Sequence, residues 1–132
     1  MSFFEGIKNM FSQSENGLSD EWHTLKEQNA VDEVIHSSDD KPQLIYKHSY
    51  RCSVCLFSKS NLEKQAEEIT RFADMHFVDV ISSREVSNYI AEQLGVRHES
   101  PQAILLHKGE VIWHASHGSI KSAKILEVLS HN

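Results

Sequence analysis

The chain has 132 residues, with 13 Lys and Arg against 19 Asp and Glu, and a formal charge of −6 with neutral histidines. That length suits one domain burying about two-thirds of its surface, and the acidic balance excludes the basic field that would hold a nucleic acid. The longest apolar runs, Val54 to Phe57 and Ala103 to Leu106, fall far short of the ~20 residues that span a bilayer or the ~7 of a signal-peptide core. The expectation is a soluble, cytoplasmic protein with no transmembrane segment. Two cysteines separated by two residues are too few for a secreted disulfide scaffold and point to redox or metal chemistry in a reducing compartment.

In chain order, Phe3, Phe4, Ile7, Met10 and Phe11 recur at helical intervals around Glu5 and Lys8, which predicts a short amphipathic helix. Such a helix docks on its own domain or on a partner, a dimer included, or touches a membrane surface. Residues 12–19, small and polar, read as a linker. The division is therefore an N-terminal helix and linker over 1–19 and a compact domain over 20–132.

Residues 21–26, with Trp22 and Leu25, suit either a short strand or the start of a helix, and 27–37 carry Val31, Val34 and Ile35 at helical spacing. Pro42 opens a buried strand over 43–48. A long helix follows the Cys-Ser-Val-Cys segment, because Cys55, Leu62, Ala66, Ile69 and Ala73 share one stripe and neither Gly nor Pro interrupts them. Residues 75–81 form the next strand. Ser82 and Glu85 have capping-box spacing before a helix with Val86, Ile90 and Leu94 on one face, closed by Gly95 in a left-handed cap. Strands over 102–107 and 110–115, joined by Lys108-Gly109, form an antiparallel hairpin. A final helix from about Ser119 turns Ala123, Ile125, Val128 and Leu129 inward. Alternating strands and helices with a terminal hairpin describe an α/β fold, a mixed sheet of four to five strands with helices on both faces.

Cys52 and Cys55 sit where a strand ends and a helix begins. The thiolate is the nucleophile, and the free N–H groups and partial positive charge of a helix N-terminus stabilise it. Arg51 adds a neighbouring cation. At i and i+3 the two sulfurs can reach disulfide geometry without backbone movement, with Cys52 as attacker and Cys55 more covered. A C-x-x-C in a βαβ context is the redox pattern. A zinc site would need four ligands where one pair and scattered His are present, and Cys55 alone could be a small core residue.

Lys47-His48-Ser49-x-x-Cys52, His98-Glu99-Ser100-Pro101-Gln102 and the run from Gly109 through Trp113 to His117 resemble, in that order, the YtxJ-like bacilliredoxins, over about residues 20–130. The resemblance implies a thioredoxin-like fold and removal of bacillithiol from proteins carrying it as a mixed disulfide. Cys52 matches the reactive cysteine, and bacillithiol is the implied cosubstrate, with no tightly bound cofactor and no metal. Cys55 stands where that family commonly has serine, which adds a dithiol exit to the monothiol one. Ser100-Pro101 would be the cis-proline loop facing the active cysteine, and the alternative is a trans proline opening a strand. His48 is read as a structural hydrogen-bond partner or a thiolate partner, with Ser49 beside it. His98 and Glu99 contact the partner protein or the small thiol, or else belong to a solvated loop. Trp113 packs on the hairpin and His117 ends a strand.

The leading reading is a thiol–disulfide oxidoreductase whose partners are mixed-disulfide proteins, a low-molecular-weight thiol and a reductase. The alternatives are a module binding a metal or an iron–sulfur cluster and a glutaredoxin-like protein acting on glutathione mixed disulfides.

Overall fold

The computed structural model describes residues 18–132, so the amphipathic helix expected near the N-terminus and most of the linker lie outside the described residues. The elements are β1 (Trp22–Thr24), α1 (Gln28–Ser37), β2 (Gln43–His48), α2 (Ser53–Lys64), α3 (Ala66–Ile69), β3 (Asp74–Asp79), α4 (Arg84–Leu94), β4 (Gln102–His107), β5 (Glu110–Ser116), a 3-10 turn (His117–Ser119) and α5 (Ser122–Ser130). They build a five-stranded sheet in the order β1-β3-β2-β4-β5. The β1–β3 and β2–β3 pairs are parallel, and β2–β4 and β4–β5 antiparallel. This is the expected mixed sheet with helices on both faces.

All six residues of β2 are buried, because the strand is central and covered on both sides. Alternation along it separates two cores. Leu44 and Tyr46 join Leu62, Ala66, Ile69, Ile125 and Leu129 on the face covered by α2, α3 and α5. Ile45 joins Val31, Val34, Val86 and Ile90 on the face covered by α1 and α4. Trp22 packs in the first core, stacked on Tyr46 at 5.6 Å between ring centroids, and its strand pairs Trp22 with Met75. That edge pairing decides the ambiguity over 21–26 in favour of a strand.

Three local expectations are corrected. The stripe of Cys55, Leu62, Ala66, Ile69 and Ala73 is fully buried as foreseen, but the helix carrying it is not continuous. Gln65 leaves helical geometry at φ −112° and ψ 13°, its N–H turning back to Leu62 O at 3.2 Å. A step of three or four residues keeps the stripe in line through such a tightened turn, so periodicity cannot register the break. The Ser82–Glu85 capping box does not form. Ser83 is the N-cap of α4 and makes no side-chain cap, while Asp79 Oδ1 accepts the N–H groups of Ile81 (2.9 Å) and Ser82 (3.2 Å). Asp79 thus takes the Ser82 N–H that the Glu85 carboxylate would have accepted in the box. In α5, Ile125 and Leu129 are buried and Val128 half-buried, but Ala123 is exposed. Gly95 closes α4 in the left-handed region at φ 66°.

The β4–β5 hairpin turns through two residues of positive φ, Lys108 at 55° and Gly109 at 75°, the geometry that matches the twist of the flanking strands. A methyl group at Gly109 would meet no neighbouring atom, so Gly109→Ala should cost about 1 kcal/mol through backbone strain alone. The urea midpoint measures it, and an unchanged midpoint would refute the strain at that position.

Two histidines are buried with one ring nitrogen unpartnered. His76 Nε2 lies 2.6 Å from Gln43 Oε1, and its Nδ1 has no partner. His48 Nδ1 lies 3.0 Å from the Tyr46 hydroxyl, and its Nε2 has none. Burial, aided by His23 for His76 and by Lys59 for His48, pushes both down to about 4. The unfolded chain therefore takes up protons near 6.5 that the folded chain refuses. Their contribution is complete above that value and is lost as the pH falls toward about 4, on the order of 3 kcal/mol for each. Urea titrations at about pH 7 and about pH 5 should show lower stability at the acid value, with a shallower dependence in His76→Gln; equal stability at both would contradict the burial argument.

Candidate active site

The site forms where β2 ends. Strand pairing stops at His48, the next residues turn, and the N–H of Cys52 bonds Ser49 O at 3.2 Å. This turn makes Cys52 the N-cap of α2. Cys52 is half-buried and Cys55, one turn into the helix, is fully buried; both are free thiols. Cys52 makes no formal cap hydrogen bond as a thiol. The N–H of Cys55 foremost, then the Cys55 thiol and the N–H of Val54, nevertheless lie against its sulfur and hold the ionised form below the ordinary thiol range. Arg51 is exposed, and the groups lowering Cys52 are backbone N–H groups and a thiol rather than its guanidinium.

Cys55 moves the other way. Burial pushes its thiol up, while the Ser49 backbone and the Ser100 hydroxyl favour ionisation and Cys52 opposes it. Cys55 Sγ is 3.6 Å from Ser100 Oγ, and the Ser100–Pro101 peptide bond is cis. Pro101 is buried, and its carbonyl accepts the N–H of His117 at 3.0 Å. The blocks 47–55 and 98–101, far apart in sequence, therefore meet at Cys55.

His48 stands behind the thiols rather than beside them. Tyr46, on the same face two residues earlier, donates its hydroxyl proton to Cys55 O at 2.9 Å. With that proton committed, the contact to His48 Nδ1 requires Nδ1 to carry hydrogen. Burial raises the Tyr46 pKa further, so the hydroxyl remains a donor. His48 is linked to Cys55 through Tyr46, and its ring packs edge-on to Tyr50 at 4.5 Å. Ser49 is buried, its hydroxyl accepting the Arg51 N–H at 3.3 Å. On α2, Glu63 accepts from Lys59 Nζ at 3.1 Å and from Trp22 Nε1 at 2.8 Å, tying the helix to β1.

Of the remaining residues singled out from sequence, His98 is exposed, with Nδ1 at 3.0 Å from Ser87 Oγ and 3.2 Å from Lys47 Nζ. Glu99 is half-buried and held down first by the Ser116 side chain, then by His117, Arg97 and His114. Trp113 packs against the first core. His117 follows the last residue of β5 and has φ 55°. Exposed Tyr50, Val54, Leu56 and Phe57 surround the start of α2, and a cavity of about 290 Å³ beside it is lined by Val54, Phe57, Asn61, His117 and Ile120 among others. Among the described residues no cluster of three or more His, Cys, Asp or Glu side chains could hold a metal ion.

Sequence reasoning treated Tyr46 as a strand residue and singled Lys47 out only through the family resemblance. The signal was present for both. Tyr46 and His48 stand two apart on one face of a buried strand, and Lys47 is a charge inside that strand, where burial demands a partner.

Solved structures share this architecture. One, described as a candidate oxidoreductase with a thioredoxin fold, is 28% identical at TM-score 0.71, covering 81% of this chain and 92% of its own. Thioredoxin O2 from Arabidopsis thaliana, in its oxidised state, is 15% identical at TM-score 0.66, with 86% and 96% covered. A thioredoxin variant from Halobacterium salinarum is 21% identical at TM-score 0.64, with 86% and 93% covered. The last two show the fold alone, and the sheet is that of a thioredoxin. The chain also matches the family described as monothiol bacilliredoxin BrxC over residues 23–125. With a cysteine at the head of a helix in a thioredoxin fold and that match over most of the chain, this protein belongs to the BrxC bacilliredoxin family.

Proposed function

We propose that this protein removes bacillithiol from protein mixed disulfides by thiol–disulfide exchange, with Cys52 as nucleophile and Cys55 as resolving thiol. The observation that carries the reading is the opposed pair at the head of α2: an accessible sulfur with its pKa lowered and a buried sulfur with its pKa raised. The Cys52 thiolate attacks the bacillithiol sulfur of the modified protein. A new disulfide forms between Cys52 and bacillithiol, the substrate disulfide breaks, and the substrate cysteine leaves as a thiolate that takes a proton from water. The exposed apolar residues around Cys52 supply a surface for the client protein.

Adduct formation also changes Cys55. The negative charge on Cys52 that opposes Cys55 ionisation disappears, while the Ser49 backbone and Ser100 hydroxyl that favour it remain. Cys55 then attacks the Cys52 sulfur as its thiolate, the Cys52–bacillithiol bond breaks, the proton lost by Cys55 ends on the departing bacillithiol through water, and a Cys52–Cys55 disulfide results. Two electrons from a reductase restore the dithiol. In the monothiol exit a second bacillithiol attacks the adduct instead, giving bacillithiol disulfide and free Cys52. Catalysis would use the cytoplasmic thiol pool.

In the reduced protein, iodoacetamide should alkylate Cys52 with a midpoint below the ordinary thiol value of about 8.5 and leave Cys55 unmodified; equal labelling of both would contradict the proposed roles. After brief mixing with a bacillithiol-modified peptide, intact mass should show the internal disulfide, two hydrogens lighter than the dithiol. Cys55→Ser should stop at the bacillithiol adduct, and Cys52→Ser should transfer nothing. Surviving transfer in Cys52→Ser would end the assignment. Full turnover of Cys55→Ser with bacillithiol as sole reductant would remove the resolving role, and preference for a matched glutathione-modified peptide would move the substrate to glutathione.

A further inference from the structure

Lys47 is fully buried on β2, facing away from Tyr46 toward α4. Its ammonium lies 3.0 Å from Ser87 O and 3.2 Å from His98 Nδ1. The Ser87 hydroxyl is 3.0 Å from the same Nδ1. An ammonium has only hydrogens to offer, so Nδ1 faces it as an acceptor and the ring proton resides on Nε2. Burial lowers Lys47 to about 8, which leaves the ammonium mostly protonated at neutral pH. Burial, then Lys47 and Arg84, lower His98 against the opposing charge of Glu99. The ring is therefore neutral, with its proton held on one nitrogen by a cation on the other. His98 is exposed, and Ser100, whose hydroxyl is 3.6 Å from Cys55 Sγ, follows two residues later, at most about 7 Å of chain.

We propose that Lys47 is a positioning residue that holds His98 as a neutral Nε2–H donor, and that this donor binds a carboxylate oxygen of the small thiol carried on Cys52. The identity of that ligand rests on the function proposed above; the tautomer does not. A carboxylate fits because the charges acting on His98 are led by the cations Lys47 and Arg84, opposed by Glu99. Glu99 is itself engaged by the Ser116 side chain and by the charges of His117, Arg97 and His114. A donor that stays neutral yet polarised recognises the anion without becoming a competing acid for the thiolates.

Long-range proton–nitrogen correlation spectra of the full-length protein at neutral pH should show His98 with a bare Nδ1 and a protonated Nε2. An Nδ1–H ring or an imidazolium would overturn the proposal. In Lys47→Met the two tautomers should mix and the His98 pKa should rise, and an unchanged ring would overturn the positioning role. Should that variant fail to fold, the wild-type spectrum and the kinetics still decide. His98→Ala should raise KM for a bacillithiol-modified peptide about tenfold with a much smaller effect on kcat. His98→Gln, which retains an N–H donor, should recover most of the loss, and a 2-mercaptoethanol-modified peptide should respond less. Normal exchange with unchanged KM in His98→Ala, or equal loss on both peptides, would overturn this inference alone. Failure of the wild-type protein to accept bacillithiol would overturn the ligand half together with the proposed function.

Discussion

The arrangement of this protein depends on the unsatisfied donors at the start of α2. A helix begins with N–H groups that have no partner within the helix, and in most proteins an oxygen side chain takes them. Here the N-cap is Cys52, which supplies no oxygen. The deficit is met best when the sulfur ionises, so the local requirement of the helix and the chemical requirement of a nucleophilic thiol coincide. The same turn places Cys55 inside the core, where low dielectric opposes ionisation. Two chemically identical side chains three residues apart thus acquire opposite tendencies from one backbone feature.

Around that helix start, the central strand supplies different support on its two faces. Toward α2, Tyr46 bonds the Cys55 carbonyl and passes the contact to His48, holding the first turn from below. Toward α4, Lys47 reaches Ser87 and His98 and so anchors the loop that comes back to the thiols. Alternation along one strand therefore puts a neutral hydrogen-bonded pair on the face toward α2 and a buried cation on the face toward α4. Both are costly to bury without partners, and their partners lie on elements 9 and 40 or more residues away.

The elements were legible in proportion to how locally they are determined. The strand over 43–48, the two-residue hairpin turn and the left-handed cap at Gly95 are written in short stretches and appear with the expected bounds. The Ser82–Glu85 capping box does not form because Asp79, a residue outside the pattern, takes the Ser82 N–H that Glu85 would have accepted. The break at Gln65 was invisible because the apolar stripe runs through it unbroken. Ala123, expected inward with Ile125, Val128 and Leu129, is exposed, and on α5 the packing against the first core falls to Ile125 and Leu129.

By itself the sequence determined the C-x-x-C spacing of Cys52 and Cys55, its place at a strand-to-helix junction, the alternating order of elements and the kinship carried by three ordered blocks. These follow from spacing and periodicity, which depend on near neighbours. Only the tertiary structure decided which cations matter: the exposed Arg51 is absent from the groups that shift the thiol, and the buried Lys47 bonds His98. It also decided that Ser100, 45 residues from Cys55, shares its environment, and that Tyr46 stands between His48 and the helix. Burial and long-range pairing set the strength of an electrostatic interaction through the local dielectric, and neither distance in space nor dielectric is written along a chain.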